Sequence, residues 1–205
     1  MKNYCWGTQS YTNKPIHTVL FVSRNKDNVD LPAFEERRYS FISDKTPEEL
    51  QDMFWAFSDM GRPGEMTRMY YSVNARDPKK IHKELLHFLI DEPDFYLGSI
   101  DSKIAGIAAT KECSAEEKWL FDFDIPSKEK VVEFVKDIEK IDSSVDIKIH
   151  ATPHGFAVVV DHGFDTRKLF EKWTKDVTLM RDDLLCVAWQ RNEQWQRSEQ
   201  EEREW

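Results

Sequence analysis

Two aspartates at alternate positions of an apolar segment carry the main chemical signal of this 205-residue chain. Residues 119–124 read Trp-Leu-Phe-Asp-Phe-Asp. Because alternate residues of a strand face the same side, we expect Asp122 and Asp124 to project together while the aromatic residues face the opposite layer. Neighbouring carboxylates repel each other unless a hard cation such as Mg²⁺ or Mn²⁺ lies between them. The pattern predicts a metal site; its alternative is a strand end emerging into solvent, with Asp124 in the following turn.

The composition indicates a folded protein with a large core rather than a protein that coats nucleic acid. Hydrophobic residues make up 40% of the chain and aromatic residues 13%, which allows extensive burial. The formal net charge of −9 would repel a polyanion, so a nucleic-acid contact requires a local basic groove. Enzymes that act on nucleotides through metal ions can still be acidic overall, because the ion supplies positive charge at the site.

Cysteine usage and hydropathy predict a cytoplasmic protein. Cys5, Cys113 and Cys186 lack any C-x-x-C spacing, which argues against a disulfide framework and a structural zinc site. No apolar run approaches the length of about 18 residues typical of a membrane span, and the start of the chain lacks the apolar region of a secretory signal. We therefore expect no membrane partner.

The first 115 residues predict an α/β portion. Segments rich in β-branched and aromatic residues indicate strands, and Thr46-Pro47 and Asp77-Pro78 are typical starts of amphipathic helices. The predicted strands cover residues 18–23, 38–42 and 68–73, and a small helix covers residues 104–109.

Residues 116–190 follow the order β-α-β-β-α-β, which is typical of a split βαβ, RRM-like or ferredoxin-like module. Such a module packs an antiparallel sheet against two helices and leaves the other sheet face free for a site or a second layer. Its last two strands, residues 177–180 and 184–189, are predicted to pair as a hairpin through the turn at 181–183. The whole chain is thus predicted to be an α+β protein: an N-terminal α/β portion packed on this module, followed by a charged tail at 191–205.

The order of motifs in residues 118–189 resembles the archaeo-eukaryotic primase superfamily, including the primase-polymerases of viruses and mobile elements. The strand with Asp122 and Asp124 is followed about 30 residues later by the turn Thr152-Pro153-His154-Gly155 and then by an Asp-bearing hairpin. The resemblance implies a metal-dependent nucleotidyltransferase that joins nucleotides on a nucleic-acid template in DNA replication. Its expected partners are a nucleoside triphosphate and a single-stranded template, with replication proteins as further candidates.

The resemblance also implies which residues hold the metal. Asp122 and Asp124 correspond to the family's paired acidic residues, which bind Mg²⁺ or Mn²⁺. A third acidic residue on a late strand completes the family's site, and Asp182 is the first choice for it, with Asp183 second. The alternative interpretation is that Arg181-Asp182-Asp183 simply forms a hairpin turn.

The family's second motif joins a glycine-containing turn to a strand whose histidine contacts the nucleotide's phosphates. At the expected histidine position this chain has Ala157. Either His154 or His150 substitutes for it, or this form lacks normal nucleotide handling. The predicted nucleotide-binding residues are Thr152, His154, Gly155, Ala157 and Arg181.

A second group of residues is predicted to contact nucleic acid. Arg68, Tyr70 and Arg76 lie on or next to one predicted strand, and arginines beside aromatic rings suit a template strand or a base. Simple packing at the edge of a sheet is the alternative for Tyr70.

Three other functions remain open from the sequence. Ala157 and the acidic net charge favour a catalytically inactive relative that acts as a nucleic-acid-binding or protein-interaction module. The same aspartates could serve a metal-dependent nuclease or phosphodiesterase. The H-x-T pattern at residues 150–152 is typical of two-histidine phosphoesterases, but a second such element with suitable spacing is missing. P-loop, Rossmann and α/β-hydrolase motifs are absent.

Overall fold

The computed structural model describes residues 14–193 and confirms the α+β class. Over these residues the chain forms two antiparallel four-stranded sheets and five α-helices. The predicted tail lies outside the described residues from residue 194 onward. The strands are β1 (His17–Ser23), β2 (Arg37–Ser43), β3 (Met66–Ser72), β4 (Trp119–Phe123), β5 (Ile147–Thr152), β6 (Gly155–Val160), β7 (Thr178–Met180) and β8 (Leu184–Arg191), and the helices are α1 (Gln51–Asp59), α2 (Pro78–Asp91), α3 (Ile100–Ala108), α4 (Lys128–Ile141) and α5 (Arg167–Trp173).

The first sheet has the strand order β2-β1-β3-β8. Its strands alternate between two faces, as the period of two requires. On one face Val19, Phe21 and Met69 are buried against α1, which contributes Phe54 and Phe57. The other face, which carries the intervening residues of β1 and β3, is therefore left to meet the second sheet.

Helices α2 and α3 cover the β2 side of the first sheet. Asp77 caps α2 by accepting a hydrogen bond from the backbone N–H of Lys79 at 2.8 Å, which confirms the predicted helix start. Ile81 on α2 packs with Ala108 at the end of α3, and Ile42 of β2 joins the same cluster. The small helix predicted at 104–109 exists and begins earlier, at Ile100.

None of the helices within residues 14–193 combines the length and the apolar character needed to cross a bilayer.

The second sheet has the strand order β5-β6-β4-β7 and packs one face against α4 and α5. Phe121 and Phe123 are fully buried there, and the ring of Phe123 meets that of Phe134 on α4 edge-on, with 4.7 Å between ring centroids. Aromatic pairs favour this arrangement. The predicted alternation of β4 is confirmed, because the aromatic residues face the helices and Asp122 faces away from them.

The opposite face of the second sheet packs on the first sheet through an apolar cluster, which we call the inter-sheet cluster. Its buried members are Leu120 of β4, Ala157 and Val159 of β6, and Leu185 of β8. Because these side chains hold the sheets together, the face predicted to be left for a site or a second layer is covered at its centre by the first sheet. The residues beyond the cluster face each other across open clefts.

The predicted hairpin of residues 177–180 with 184–189 is wrong. Strand β7 pairs with β4, with Met180 opposite Leu120, whereas β8 pairs with β3, with Cys186 opposite Tyr70. Two strands joined by three residues normally pair with each other, but in this fold the free edges of β4 and β3 each supply a partner. The link 181–183 therefore crosses from one sheet to the other, and β8 completes the N-terminal sheet.

The turn between β5 and β6 allows a test of how closely the backbone is packed. A Cβ atom added to Gly155 would lie 2.0 Å from the carbonyl oxygen of Phe123. We expect Gly155→Ala to destabilise the protein by about 1–3 kcal/mol, since the backbone of β4 has to move. Gly106→Ala on α3 is the matched control, because its added Cβ meets nothing within 4 Å; it should stabilise by about 0.5–1 kcal/mol. Urea unfolding measures both changes, and equal effects would contradict the packing argument.

Candidate active site

A cleft of about 360 Å³ lies between the two sheets, on one side of the inter-sheet cluster. Each sheet lines it with a different kind of side chain. The second sheet and its loops contribute Asp122, Asp124, Thr152, His154 and Ala157, the first sheet and its loops contribute Arg24, Lys26, Arg38, Arg68 and Tyr70, and the link between the sheets contributes Asp183.

The acidic side of the cleft is centred on Asp122. Its neighbours across the strands are Ala157 on β6 and Thr178 on β7. Burial raises the pKa of Asp122, and the nearby carboxylates of Asp124 and Asp183 raise it further. Within residues 14–193 none of these three carboxylates forms an ion pair with a basic side chain. The second sheet therefore presents concentrated negative charge that the described part of the chain does not pair.

The third acidic residue of the cleft is Asp183, not the first choice, Asp182. The carboxylate of Asp182 points elsewhere: it accepts hydrogen bonds from Arg76 Nη1 at 2.8 Å and from Asn74 Nδ2 at 3.0 Å. Arg76 is almost fully buried, so this pair has a structural role between the two halves of the chain. Asp183, the second choice, is the one that lines the cleft.

The basic side of the cleft comes from the face of the first sheet opposite α1. The strand register places Arg38 and Arg68 on either side of Val22, so the three side chains form one row. Arg24 follows the end of β1, with its guanidinium carbon 5.7 Å from the centroid of the Tyr70 ring. Lys26 reaches the same cleft. Four cationic side chains thus face the acidic sheet.

His154 is the histidine of this cleft. Its Nε2 lies 2.8 Å from Nη2 of Arg68. A guanidinium can only donate hydrogen bonds, so Nε2 must accept and Nδ1 must carry the proton. His150, the alternative, lies in a separate pocket of about 230 Å³ on the other side of the inter-sheet cluster, together with His17. His154, a residue of the cleft lining, therefore carries its N–H on Nδ1.

Ala157 forms part of the cleft floor. It is 1% exposed and belongs to the inter-sheet cluster, packed with Leu120 and Leu185. A larger side chain at this position would have to displace these residues. Thr152 also lines the cleft, whereas Gly155 is buried in the turn against the backbone of β4.

The other predicted contact residues divide into two groups. Arg68 and Tyr70 line the cleft. Arg76 is 2% exposed and paired with Asp182, and Arg181 lies over the ring of Trp119 at 5.3 Å, in a separate surface depression. Arg76 and Arg181 are thus not among the residues that line the cleft.

Sequence reasoning missed Arg24, Lys26 and Arg38, which supply much of the basic side. A signal for the first two was present, because both cations follow directly after the apolar strand β1. For Arg38 the signal was weaker: it depends on knowing which face of β2 turns away from α1.

The oxygen donors of the cleft are of the kind that a hard divalent cation prefers. Within residues 14–193, no three or more His, Cys, Asp or Glu side chains are grouped as a ready ion site. Mg²⁺ usually keeps several waters and uses one or two carboxylates together with substrate phosphates. Asp122, Asp124 and Asp183 offer oxygen ligands only, and their mutual repulsion gives a cation a reason to bind.

Comparison with known proteins adds no assignment. No protein-family model matches the chain, and a search of curated proteins finds no match. The resemblance to the primase superfamily thus remains an expectation from the motifs.

The neighbouring residues Asp182 and Asp183 provide a matched test of the site. We expect Asp182→Asn to destabilise the protein by about 3–5 kcal/mol, because it leaves the buried Arg76 without its counter-charge. Asp183→Asn should change stability by less than about 0.5 kcal/mol, or increase it, because it removes a like charge near Asp122. Urea unfolding at neutral pH measures both. A larger loss for Asp183→Asn than for Asp182→Asn would contradict the structural role of Asp182 and the cleft position of Asp183.

Proposed function

We propose that this protein is a metal-dependent nucleotidyltransferase of the primase-polymerase type, which joins nucleotides on a nucleic-acid template. The observation that carries the proposal is the cleft itself, in which three carboxylates without an ion-pair partner among residues 14–193 face four cationic side chains. A metal–triphosphate complex has the complementary arrangement, with cations at one end and phosphate oxygens along the other.

The acidic side is suited to hold Mg²⁺ or Mn²⁺ through Asp122, Asp124 and Asp183. Such an ion, when bound, lowers the pKa of an attacking hydroxyl and neutralises charge on the phosphoryl oxygens. The aspartates are short side chains on or next to β4 and on the inter-sheet link, so their positions are set by the backbone. Because the carboxylates are held in place before the metal ion arrives, little rearrangement is needed for the ion to bind.

The basic side is suited to hold the phosphates of the nucleotide. Arg24, Lys26 and Arg38 present positive charge to the cleft, and His154 offers its Nδ1–H as a donor. Preorganised donors of this kind stabilise the charge that develops during phosphoryl transfer. Tyr70, beside Arg24, offers an aromatic ring to a base or a sugar.

The position of His154 bears on the alternative of an inactive relative. That alternative drew support from Ala157, which stands where the family's histidine was expected. Because His154 reaches the cleft from the adjoining turn, the absence of a histidine at position 157 does not remove this donor from the site.

Binding measurements on a double variant test the metal site. In Asp122→Asn/Asp124→Asn we expect Mn²⁺ affinity to fall at least about tenfold, since losing a group that only supports a metal ligand already costs about 10–100-fold. Titration with Mn²⁺ followed by electron paramagnetic resonance measures this. Asp91→Asn/Asp94→Asn is the control, because it removes the same charge at two exposed positions outside the cleft and should leave Mn²⁺ binding unchanged.

The reaction is tested by incubating the protein with Mn²⁺, nucleoside triphosphates and a primed single-stranded template. Extension of the primer by the wild type, and its loss in the aspartate double variant, is the expected result. Metal-dependent cleavage of the strand would assign a nuclease instead, and equal behaviour of wild type and double variant would favour a non-catalytic module.

A further inference from the structure

Asp27, a residue outside the motifs that carry the resemblance, lies buried beneath the basic side of the cleft. It ends the short 3-10 turn Asn25–Asp27 that follows β1, and its side chain is 3% exposed. The carboxylate accepts hydrogen bonds from Arg24 Nε at 2.9 Å and from Arg68 Nη2. One buried anion thus holds two of the arginines that line the cleft.

We infer that Asp27 is a positioning residue, which orients Arg24, Arg68 and His154 to receive the phosphate chain of a nucleotide. The identity of the ligand rests on the proposed function. The arrangement of the three basic groups around Asp27 is a separate property, which can be measured without any nucleotide.

The turn that carries Asp27 is itself tied to the first sheet. The side chain of Asn28 donates hydrogen bonds to the hydroxyl of Ser23 and the carbonyl oxygen of Met66, and it accepts one from the N–H of Met66 at 2.6 Å. Asn28 is 3% exposed. Because these bonds join the turn to β1 and β3, the position of the Asp27 carboxylate is set by the sheet rather than by a free loop.

The ionisation of the Asp27 carboxyl group suits its role in holding the two arginines. Burial by itself raises the pKa of this carboxyl, but hydrogen bonds from Arg24 and Arg68 outweigh that effect, so the pKa is lowered overall. Asp27 therefore remains ionised wherever the protein is folded near neutral pH. With one anion between two arginines, a net positive charge is left for a ligand.

Arg68, one of the two arginines held by Asp27, has a buried hydrogen-bond donor that no described residue satisfies. It is 5% exposed, and its Nε is buried without a hydrogen-bond partner among the described residues. Buried donors without an acceptor are rare and costly, and Arg68 lines the cleft. An anionic oxygen entering the cleft would supply an acceptor that the described chain lacks.

His154 depends on the same anchor through Arg68. Nη2 of Arg68 contacts both Asp27 and Nε2 of His154, and Nε2 lies 3.7 Å from the Asp27 carboxylate. While Asp27 holds Arg68, Nε2 receives a hydrogen bond and the proton remains on Nδ1. Without the carboxylate, Arg68 can turn away and both tautomers become accessible.

Two explanations of the role of Asp27, one by its charge and one by its positioning of the arginines, predict opposite effects of its removal on phosphate binding. If only charge mattered, neutralising this anion would make the cleft more positive and strengthen the binding of phosphates. If Asp27 positions the arginines, its neutralisation weakens binding, because displaced donors lose their geometry. The sign of the change therefore distinguishes the two roles.

The experiment measures binding of inorganic tripolyphosphate, without divalent ions, by isothermal titration calorimetry. Asp27→Asn should bind about tenfold more weakly than the wild type. Glu65→Gln is the control, because Glu65 forms a comparable buried pair with Arg37 and does not line the cleft; it should bind within about twofold of the wild type, as expected for a structural pair alone. Asp27→Glu keeps the negative charge but moves it, and it should also bind tripolyphosphate more weakly. It is the variant to measure if Asp27→Asn does not fold.

A nuclear magnetic resonance measurement of the His154 ring nitrogens provides the second readout. The wild type should show the Nδ1–H tautomer, and Asp27→Asn a mixture of both. Binding by the variants that equals or exceeds that of the wild type overturns the inference. If the wild type itself does not bind tripolyphosphate, the phosphate-binding part of the proposed function fails. The role of Asp27 is then tested by the His154 tautomer alone. A change of tautomer between the wild type and Asp27→Asn supports that role, and an unchanged Nδ1–H tautomer overturns it.

Discussion

The packing of the two sheets on each other is the constraint on which the candidate site depends. Leu120, Ala157 and Val159 of one sheet are buried against Leu185 of the other, and apolar burial of this kind is the main favourable term in folding. Because β8 follows β7 after only three residues and yet belongs to the other sheet, the chain itself also joins the two layers. The distance between the acidic and basic faces follows from this contact.

The carboxylates of the cleft differ from the other buried charges of the described chain. Buried charges elsewhere in the described chain have partners, as Asp182 has in Arg76 and Glu65 in Arg37. In the cleft, by contrast, burial raises the pKa of Asp122, and the carboxylates of Asp124 and Asp183 raise it further. Perturbed groups in a cleft are typical of functional sites, and the causes here are first the burial of Asp122 and then the nearby carboxylates of Asp124 and Asp183.

Much of the fold was predictable because local patterns decided it. The alternation of β4, the capped start of α2 and the turn at 152–155 follow from residue type and spacing. The pairing of β7 and β8 was not predictable in this way, since a three-residue link suits both a hairpin and a crossing. Which of the two neighbouring acids enters the cleft was not predictable either: Asp183 lines it, whereas Asp182 pairs with Arg76.

The sequence by itself determined that Asp122 and Asp124 share a face opposite the aromatic core, since the period of a strand is a local property. Only the tertiary structure decided that Arg24, Lys26, Arg38 and Arg68 lie across from them. The physical reason is that these residues come from strands and turns that lie between about 50 and 100 positions earlier in the chain. Contacts between such distant segments are set by which sheet faces bury apolar surface against each other. A short sequence motif does not contain that information.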